Sequence, residues 1–265
     1  MPQIPTLVEL LQAGAHFGHQ ASKWHPKMKK YIFGSRNDIH ILNLEDTQKM
    51  LDVAMQFAKK TTLRGGTILF VGTKKQAVTP VEAAAKACSM PFVTKRWLGG
   101  TLTNFASMAQ LIRKYKEMKR QQEKGEFAKY TKFEQQKLGE EIKILDIKVG
   151  GIQELTRIPE AIFILDIRKD KTALEEAVKR GIKIIAVCDS NVDPTQVDYV
   201  IPANDDAVKS IELISTLMAK AIQEGRDEWE ASRAKLGGSL VTPLGQTAGV
   251  SASAVAAHPF LAGRN

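Results

Sequence analysis

Lys95-Arg96-Trp97-Leu98-Gly99-Gly100-Thr101-Leu102-Thr103-Asn104 set two cations and an indole ahead of a double glycine and a run of hydroxyl and amide side chains. Lys95 and Arg96 can neutralise phosphates, and Trp97 offers a flat face for a base or sugar. Gly99-Gly100 lets another backbone, or a nucleic acid, approach without a Cβ in the way. Trp97 could equally be an ordinary core residue, since Trp is usually well buried. The residues alone leave both readings open.

A second constellation lies in residues 20–36. Its cations are Lys23, Lys27, Lys29, Lys30 and Arg36, with no acid among them, and Trp24, His25, Tyr31 and Phe33 are interleaved. Cations alternating with rings suit phosphate neutralisation plus stacking, which is how unpaired RNA is held. The charge and weak periodicity lead us to expect that the segment orders on RNA. Tyr31 and Phe33 could instead anchor it to the core while the lysines stay solvated.

Gly72-Thr73-Lys74-Lys75 follows an apolar run, so it should fall at the carboxyl end of a strand, where parallel sheets bind ligands. Glycine, a hydroxyl and lysines near a helix start suit an anion. The spacing is not that of a phosphate-binding P-loop, and no G-x-G-x-x-G is present. His16 and His19 flank Phe17-Gly18, Asp189 follows a strand pattern, and Asp205-Asp206 precede a helix pattern. His19, Asp189 and Asp205 could converge on a structural divalent cation through imidazole and carboxylate. In the simpler reading Asp205 and Asp206 complement a helix N-terminus and Asp189 starts a turn. No Ser, His and Asp order accompanies a nucleophile elbow, and neither cysteine has a reactive context. We therefore expect no enzyme, no required cofactor and no small-molecule substrate.

The elements that must hold these residues alternate. Ile39-His40-Ile41-Leu42 reads as a strand, with Asn43 capping a helix over 44–62. Residues 67–71 form a continuous apolar run, typical of a strand covered on both faces. Thr79 and Glu82 have capping-box spacing with Pro80 at the first helical position, and Phe92-Val93 is a brief strand. Residues 161–165 are a strand, and Thr172 and Glu175 suggest another capping box on a helix that Gly181 closes. Strands at 182–187 and 199–201 precede a last helix over 205–224. Alternation of this kind implies α/β architecture, a parallel sheet with helices on both faces.

Residues 104–149 break the rhythm. Phe105, Met108, Ile112 and Tyr115, then Leu138, Ile142, Leu145 and Val149, make two heptad seams around a turn at Lys124-Gly125-Glu126. The pattern predicts an inserted antiparallel coiled-coil hairpin, useful as a docking arm for another macromolecule. The predicted organisation is a sheet domain over 1–103 and 150–225, the insertion at 104–149, and a flexible tail over 226–265, where Ala, Ser and Gly accumulate.

The whole chain of 265 residues carries a formal charge of +9 and an isoelectric point near 9.4. This balance favours a polyanionic partner. No stretch reads as a membrane span, so no membrane partner is expected. Cys88 and Cys188 lack metal-ligand spacing and read as small buried hydrophobes in a reducing compartment. Neither a signal nor a transit pattern is visible near Met1, where the sequence is expected to begin.

Several of these stretches, in the same order, resemble one family. They are Leu10-Leu11-Gln12-Ala13-Gly14-Ala15-His16-Phe17-Gly18-His19-Gln20, then Trp24-His25-Pro26-Lys27-Met28-Lys29 and Tyr31-Ile32-Phe33-Gly34. Gly65-Gly66-Thr67 through Gly72-Thr73-Lys74-Lys75, the Arg96 to Asn104 turn, Val197-Asp198-Tyr199-Val200-Ile201-Pro202 and Asn204-Asp205-Asp206-Ala207 follow. Together they resemble the bacterial-type ribosomal protein two of the small subunit. The resemblance implies a flavodoxin-like sheet domain with an inserted helical hairpin. It implies binding to small-subunit ribosomal RNA between head and body, and contact with neighbouring proteins including ribosomal protein one. It implies no catalysis, places the chain on a cytoplasmic ribosome and leaves an organellar one open. Carried onto this sequence, the RNA contacts would be Lys23, Trp24, Lys27, Lys29, Lys30, Arg36, Lys95, Arg96 and Trp97, with Lys74 and Lys75 beside them. Pro80 and the Asp166-Ile167-Arg168-Lys169 strand end depart from the family pattern.

Overall fold

The computed structural model describes residues 3–237. Its elements run α1 (Leu7–Gln12), β1 (Phe17–Gln20), β2 (Ile32–Arg36), β3 (Ile39–Leu42), α2 (Leu44–Thr62), β4 (Ile68–Val71), α3 (Val78–Ala87) and β5 (Phe92–Val93). They continue with α4 (Phe105–Glu123), α5 (Lys132–Val149), β6 (Ala161–Ile164), α6 (Lys171–Arg180), β7 (Lys183–Cys188), β8 (Tyr199–Pro202) and α7 (Val208–Gly237). Five strands form a parallel sheet in the order β5-β4-β6-β7-β8. This is the doubly wound order in which the second strand lies outside the first, as in flavodoxin-like sheets.

The apolar strand runs reflect burial on both faces. Leu69, Val71, Ile162, Ile164, Ile184 and Ala186 belong to one core layer. Their neighbours Ile68, Phe70, Ala161, Phe163, Ile185 and Val187 belong to the other. The register aligns Phe70, Phe163 and Ile185 across the sheet, and the two Phe rings meet edge to face at 5.3 Å. The second layer is covered by α2, α3 and α7, and the first by α6, with the buried seam between α4 and α5 continuous with it. Cys88 and Cys188 are free and buried, as their sequence contexts suggest.

The strand at Ile39–Leu42 does not join this sheet. It pairs antiparallel with β1 and β2 in a separate three-stranded sheet. Asn43 caps α2 as expected, accepting from the Glu45 N–H. The two expected capping boxes do not form. Helix α3 starts at Val78, so Pro80 falls within its first turn, where a missing N–H costs nothing. Helix α6 starts after Asp170, whose carboxylate is engaged by Thr73 instead of by the helix. Gly181 closes α6 at φ +67°.

Helices α4 and α5 are joined at Gly125, which sits at φ +70°. Met108, Ile112 and Tyr115 bury against the same layer as Ile142, Leu145 and Val149. The Tyr115 hydroxyl donates to Asp146, and Lys114 pairs with Glu141. The last helix is longer than expected and runs to Gly237. Gly225 looks like a stop signal in sequence but is a crossing point. A Cβ there would lie 2.3 Å from Thr62 Oγ1 and 2.5 Å from the Lys59 carbonyl. Lys59 also bridges to Glu224 and Glu228. The expected tail therefore loses residues 226–237 to the helix, and its remainder, 238–265, lies outside the described residues. Among the described residues no helix is long and apolar enough to cross a membrane.

Candidate nucleic-acid interface

The turn from Lys95 to Asn104 folds around a carboxylate that sequence reading did not single out. Glu176 sits on α6 beside buried Ala173, Leu174 and Ala177. Its Oε1 accepts from Trp97 Nε1 at 3.1 Å and from the Gly100 N–H at 2.8 Å. Its Oε2 accepts from the N–H groups of Leu102 and Thr103 and from the Thr103 hydroxyl, at 2.9 to 3.0 Å. Burial pushes the Glu176 carboxyl up, but donors from Thr103, Trp97, Leu102 and Gly100 outweigh it and hold the group below its ordinary value. Gly100 is needed at φ +90° to aim its N–H inward. Arg180, one turn further along α6, donates to the carbonyls of Leu102 and Thr103.

Trp97 is consequently a core residue, 8% exposed, with its indole N–H committed. The expectation that its ring stacks on RNA is corrected, because no face is open. Lys95 and Arg96 remain exposed, carried on a turn whose inner side is hydrogen-bonded to Glu176.

The carboxyl end of the sheet also differs from its expected role. Lys74 Nζ lies 3.2 Å from Asp166, 2.8 Å from Asp205 and 2.6 Å from Asp206. Thr73 donates through its N–H and hydroxyl to Asp170. The anion that Gly72-Thr73-Lys74-Lys75 was expected to bind is thus supplied by the protein's own carboxylates. Lys74 is withdrawn as an RNA contact, and only Lys75 of the pair is exposed.

The imidazole of His19 joins this cluster. Its Nδ1 is 3.1 Å from Asp189 Oδ2 and its Nε2 is 3.4 Å from Asp206 Oδ2. The hydrogen bond to Asp189 raises the His19 pKa against opposing desolvation. Burial, with the charges of Asp166 and Asp189, pushes Asp205 up to about 7 despite Lys74. Single ligand atoms of His19, Asp205 and Asp206 fall within 4.8 Å of one another. Asp189 is not in that set. Its carboxylate stands behind His19, where it can orient the imidazole.

The small antiparallel sheet brings these groups together. The His19 N–H donates to Ser190 Oγ at 2.8 Å, and the His25 N–H to the Ser190 carbonyl at 2.8 Å. Gly18 makes the approach possible, since a Cβ would lie 2.8 Å from Ser190 Oγ. The N-terminal segment therefore closes the edge where doubly wound sheets ordinarily hold a ligand.

The basic segment has a defined backbone path. It runs through 3-10 turns at Ala21–Lys23 and Pro26–Tyr31 into β2. Met28 and Tyr31 are its buried anchors. Trp24 is half-buried with its ring 5.3 Å from His40. Lys27 is tied to Asp193 at 2.7 Å and to Thr195 at 3.3 Å. That ammonium, with the Thr195 donors, holds the Asp193 carboxyl far below the usual range. Lys23, Lys29, Lys30, Arg36, Lys75, Lys95 and Arg96 are all exposed. Phe33 is exposed as well, which the sequence left open.

A parallel sheet covered at its carboxyl edge by the chain's own N-terminal flank defines an α/β protein of the flavodoxin-like kind. The family model described as ribosomal protein S2 matches residues 10–225. Small ribosomal subunit protein uS2 of Dehalococcoides mccartyi strain BAV1 is 47% identical over 230 residues, covering 87% of this chain and 94% of that protein. The protein of the same name from Chloroflexus aggregans is 47% identical over 233 residues, covering 88% and 98%. The chain belongs to the ribosomal protein S2 family, a structural and non-enzymatic one.

Proposed function

We propose that this protein is a structural component of the small subunit of the cytoplasmic ribosome, bound to ribosomal RNA between head and body. The observation that carries the reading is the set of exposed cations on the N-terminal flank, together with Lys95 and Arg96 on the turn held by Glu176. Cations gathered on one flank neutralise phosphates and release counterions on binding. Recognition would rest on phosphate position and RNA shape, with little readout of bases. Filter binding to transcribed small-subunit ribosomal RNA across a salt series tests it. Charge reversal of Lys29, Lys30 and Arg96 should weaken binding and flatten the salt dependence. Unchanged binding would refute the assignment of this face.

The helices α4 and α5 serve, in this proposal, as a coiled-coil docking arm for neighbouring ribosomal proteins, including ribosomal protein one. Phe133, Ile144 and Ile147 lie exposed along α5, and contact surface of that kind supports the reading. Deleting residues 106–147 should spare RNA binding and abolish recruitment of a protein neighbour. Retained recruitment would remove the arm from the account.

A structural divalent cation held by His19, Asp205 and Asp206 is a second proposal. Its support is the convergence of their ligand atoms and the Asp189 carboxylate behind the imidazole. Lys74 competes for the same carboxylates. Native mass spectrometry with zinc and magnesium supplied tests it, and an apo mass under those conditions would end it.

A further inference from the structure

We propose that the chain's own residues 238–265 dock on the groove between α3 and α7, with Leu244 and Val250 seated in it. The groove has a volume of about 420 Å³ and is lined by Pro80, Ala83 and Ala87 of α3 and by Val208, Thr216 and Ala219 of α7. Its wall is mostly apolar. The sequence of α3 leaves it open. Val81, Ala84 and Ala85 pack inward, while Ala83 and Ala87 bring only methyl groups to the outer flank beside α7. Val208 at the groove's end is 49% exposed. Contiguous apolar surface of this kind marks a contact site.

The segment has the reach and the register for it. Helix α7 ends at Gly237, and Gly238 follows. Adjacent glycines permit the left-handed backbone on which helices commonly stop and the chain turns back. Back along α7 from that end, Gln223 lies about 21 Å away and Val208 about 44 Å, at the helical rise per residue. An extended chain gains about 3.3 Å per residue, so a returning segment has covered about 23 Å at Leu244 and about 43 Å at Val250. Its bulkier apolar residues therefore come level with the two ends of the groove.

Charge and tethering select this occupant. Arg264 is the only Lys, Arg, Asp or Glu between 238 and 265, in a chain whose formal charge is +9. A segment so poor in cations has little to offer a phosphate backbone. The groove suits it, because Glu212 and Lys220 put one charge of each sign on its α7 wall and leave no net field to oppose an uncharged strand. A segment joined to the end of α7 is presented to the groove at an effective concentration on the order of millimolar, which a separate partner of equal affinity does not match. The segment also lies beyond residues 10–225, which the family model matches, so the contact is an addition to the family's scaffold.

The test is disulfide trapping in the full chain, free of RNA, so its outcome is independent of the ribosomal reading. One variant carries Ala83→Cys with Gln246→Cys, and a control carries Val53→Cys, at an exposed position of α2, with Gln246→Cys. The native Cys88 and Cys188 are buried, which leaves the reaction to the introduced pair. Oxidised glutathione is added, thermal melts check folding, and peptide mapping reads the bond. Docking predicts that the groove pair closes within one molecule about tenfold faster than the control pair. Adding Leu244→Asp and Val250→Asp to the groove pair should bring its rate down to that of the control. Equal rates for the two pairs would overturn the proposal, as would a groove-pair rate that ignores the two Asp substitutions. Bonds formed chiefly between molecules, at a rate that rises with protein concentration, would overturn it too and assign the groove to a second copy of the chain.

Discussion

Trp97 Nε1 donates to Glu176 Oε1 at 3.1 Å, across 79 positions of sequence, and that bond fixes which parts of the basic turn face out. The carboxylate occupies the inside of the turn, so the indole goes in and Lys95 and Arg96 come out. The turn's anion partner is internal, and Lys95 and Arg96 are exposed.

The first prediction follows from the donors gathered on that carboxylate. Glu176→Ala would strand the Trp97, Gly100, Leu102 and Thr103 N–H groups in a region with little water. Unsatisfied buried donors cost about 1–3 kcal/mol each, with partial relief from rearrangement. We expect a loss of about 3–5 kcal/mol in urea unfolding. Glu176→Gln, which keeps the shape but turns an amide donor toward donors, should lose less. A change below 1 kcal/mol in Glu176→Ala would contradict the clamp.

The pH dependence carries two opposite signatures. Glu176 is depressed in the folded state, so its contribution is complete above its unfolded value, about 4.3, and disappears as pH falls through the folded one. Asp205 is raised to about 7, so the folded state holds a proton that the unfolded state has released. Stability should therefore fall as pH rises from about 4 to about 7 on this account. His19, raised by Asp189, acts in the same direction, losing its contribution as pH climbs through its folded value. Denaturant melts at pH 5 and pH 8 should show a decline that Asp205→Asn reduces. A rise in wild-type stability over that window would refute the assignment.

Much of this was legible in sequence. The continuous apolar runs give the parallel strands because both faces are buried, and the heptad spacings give α4 and α5. The failures share a cause. Gly225 looks like a helix stop, and only the proximity of Thr62 and Lys59 shows it to be a crossing point. Lys74 looks free because Asp166, Asp205 and Asp206 are remote in sequence. Glu176 carried one readable signal, an acid set among the buried alanines of an amphipathic helix, but its partners are 73 to 79 positions away. The β-bulge between Ile32 and Gly34 depends on register, which spacing does not specify.

Glycine substitutions separate close approach from mere helix propensity. Gly225→Ala should destabilise the protein by about 1–3 kcal/mol, because its methyl must push α7 away from α2. Gly139→Ala, in α5 with open space around it, should stabilise by about 0.5–1 kcal/mol. Thermal melts of the two variants should shift in opposite directions, and a stabilising Gly225→Ala would contradict the packing of that crossing.

The central claim is tested most directly by sedimenting tagged protein from lysate beside a Lys29→Glu, Lys30→Glu, Arg96→Glu variant. The account predicts that wild type co-migrates with small ribosomal subunits and that the variant, folded by its melting curve, stays near the top of the gradient. Wild type remaining free, or the variant entering the subunit peak undiminished, would contradict it.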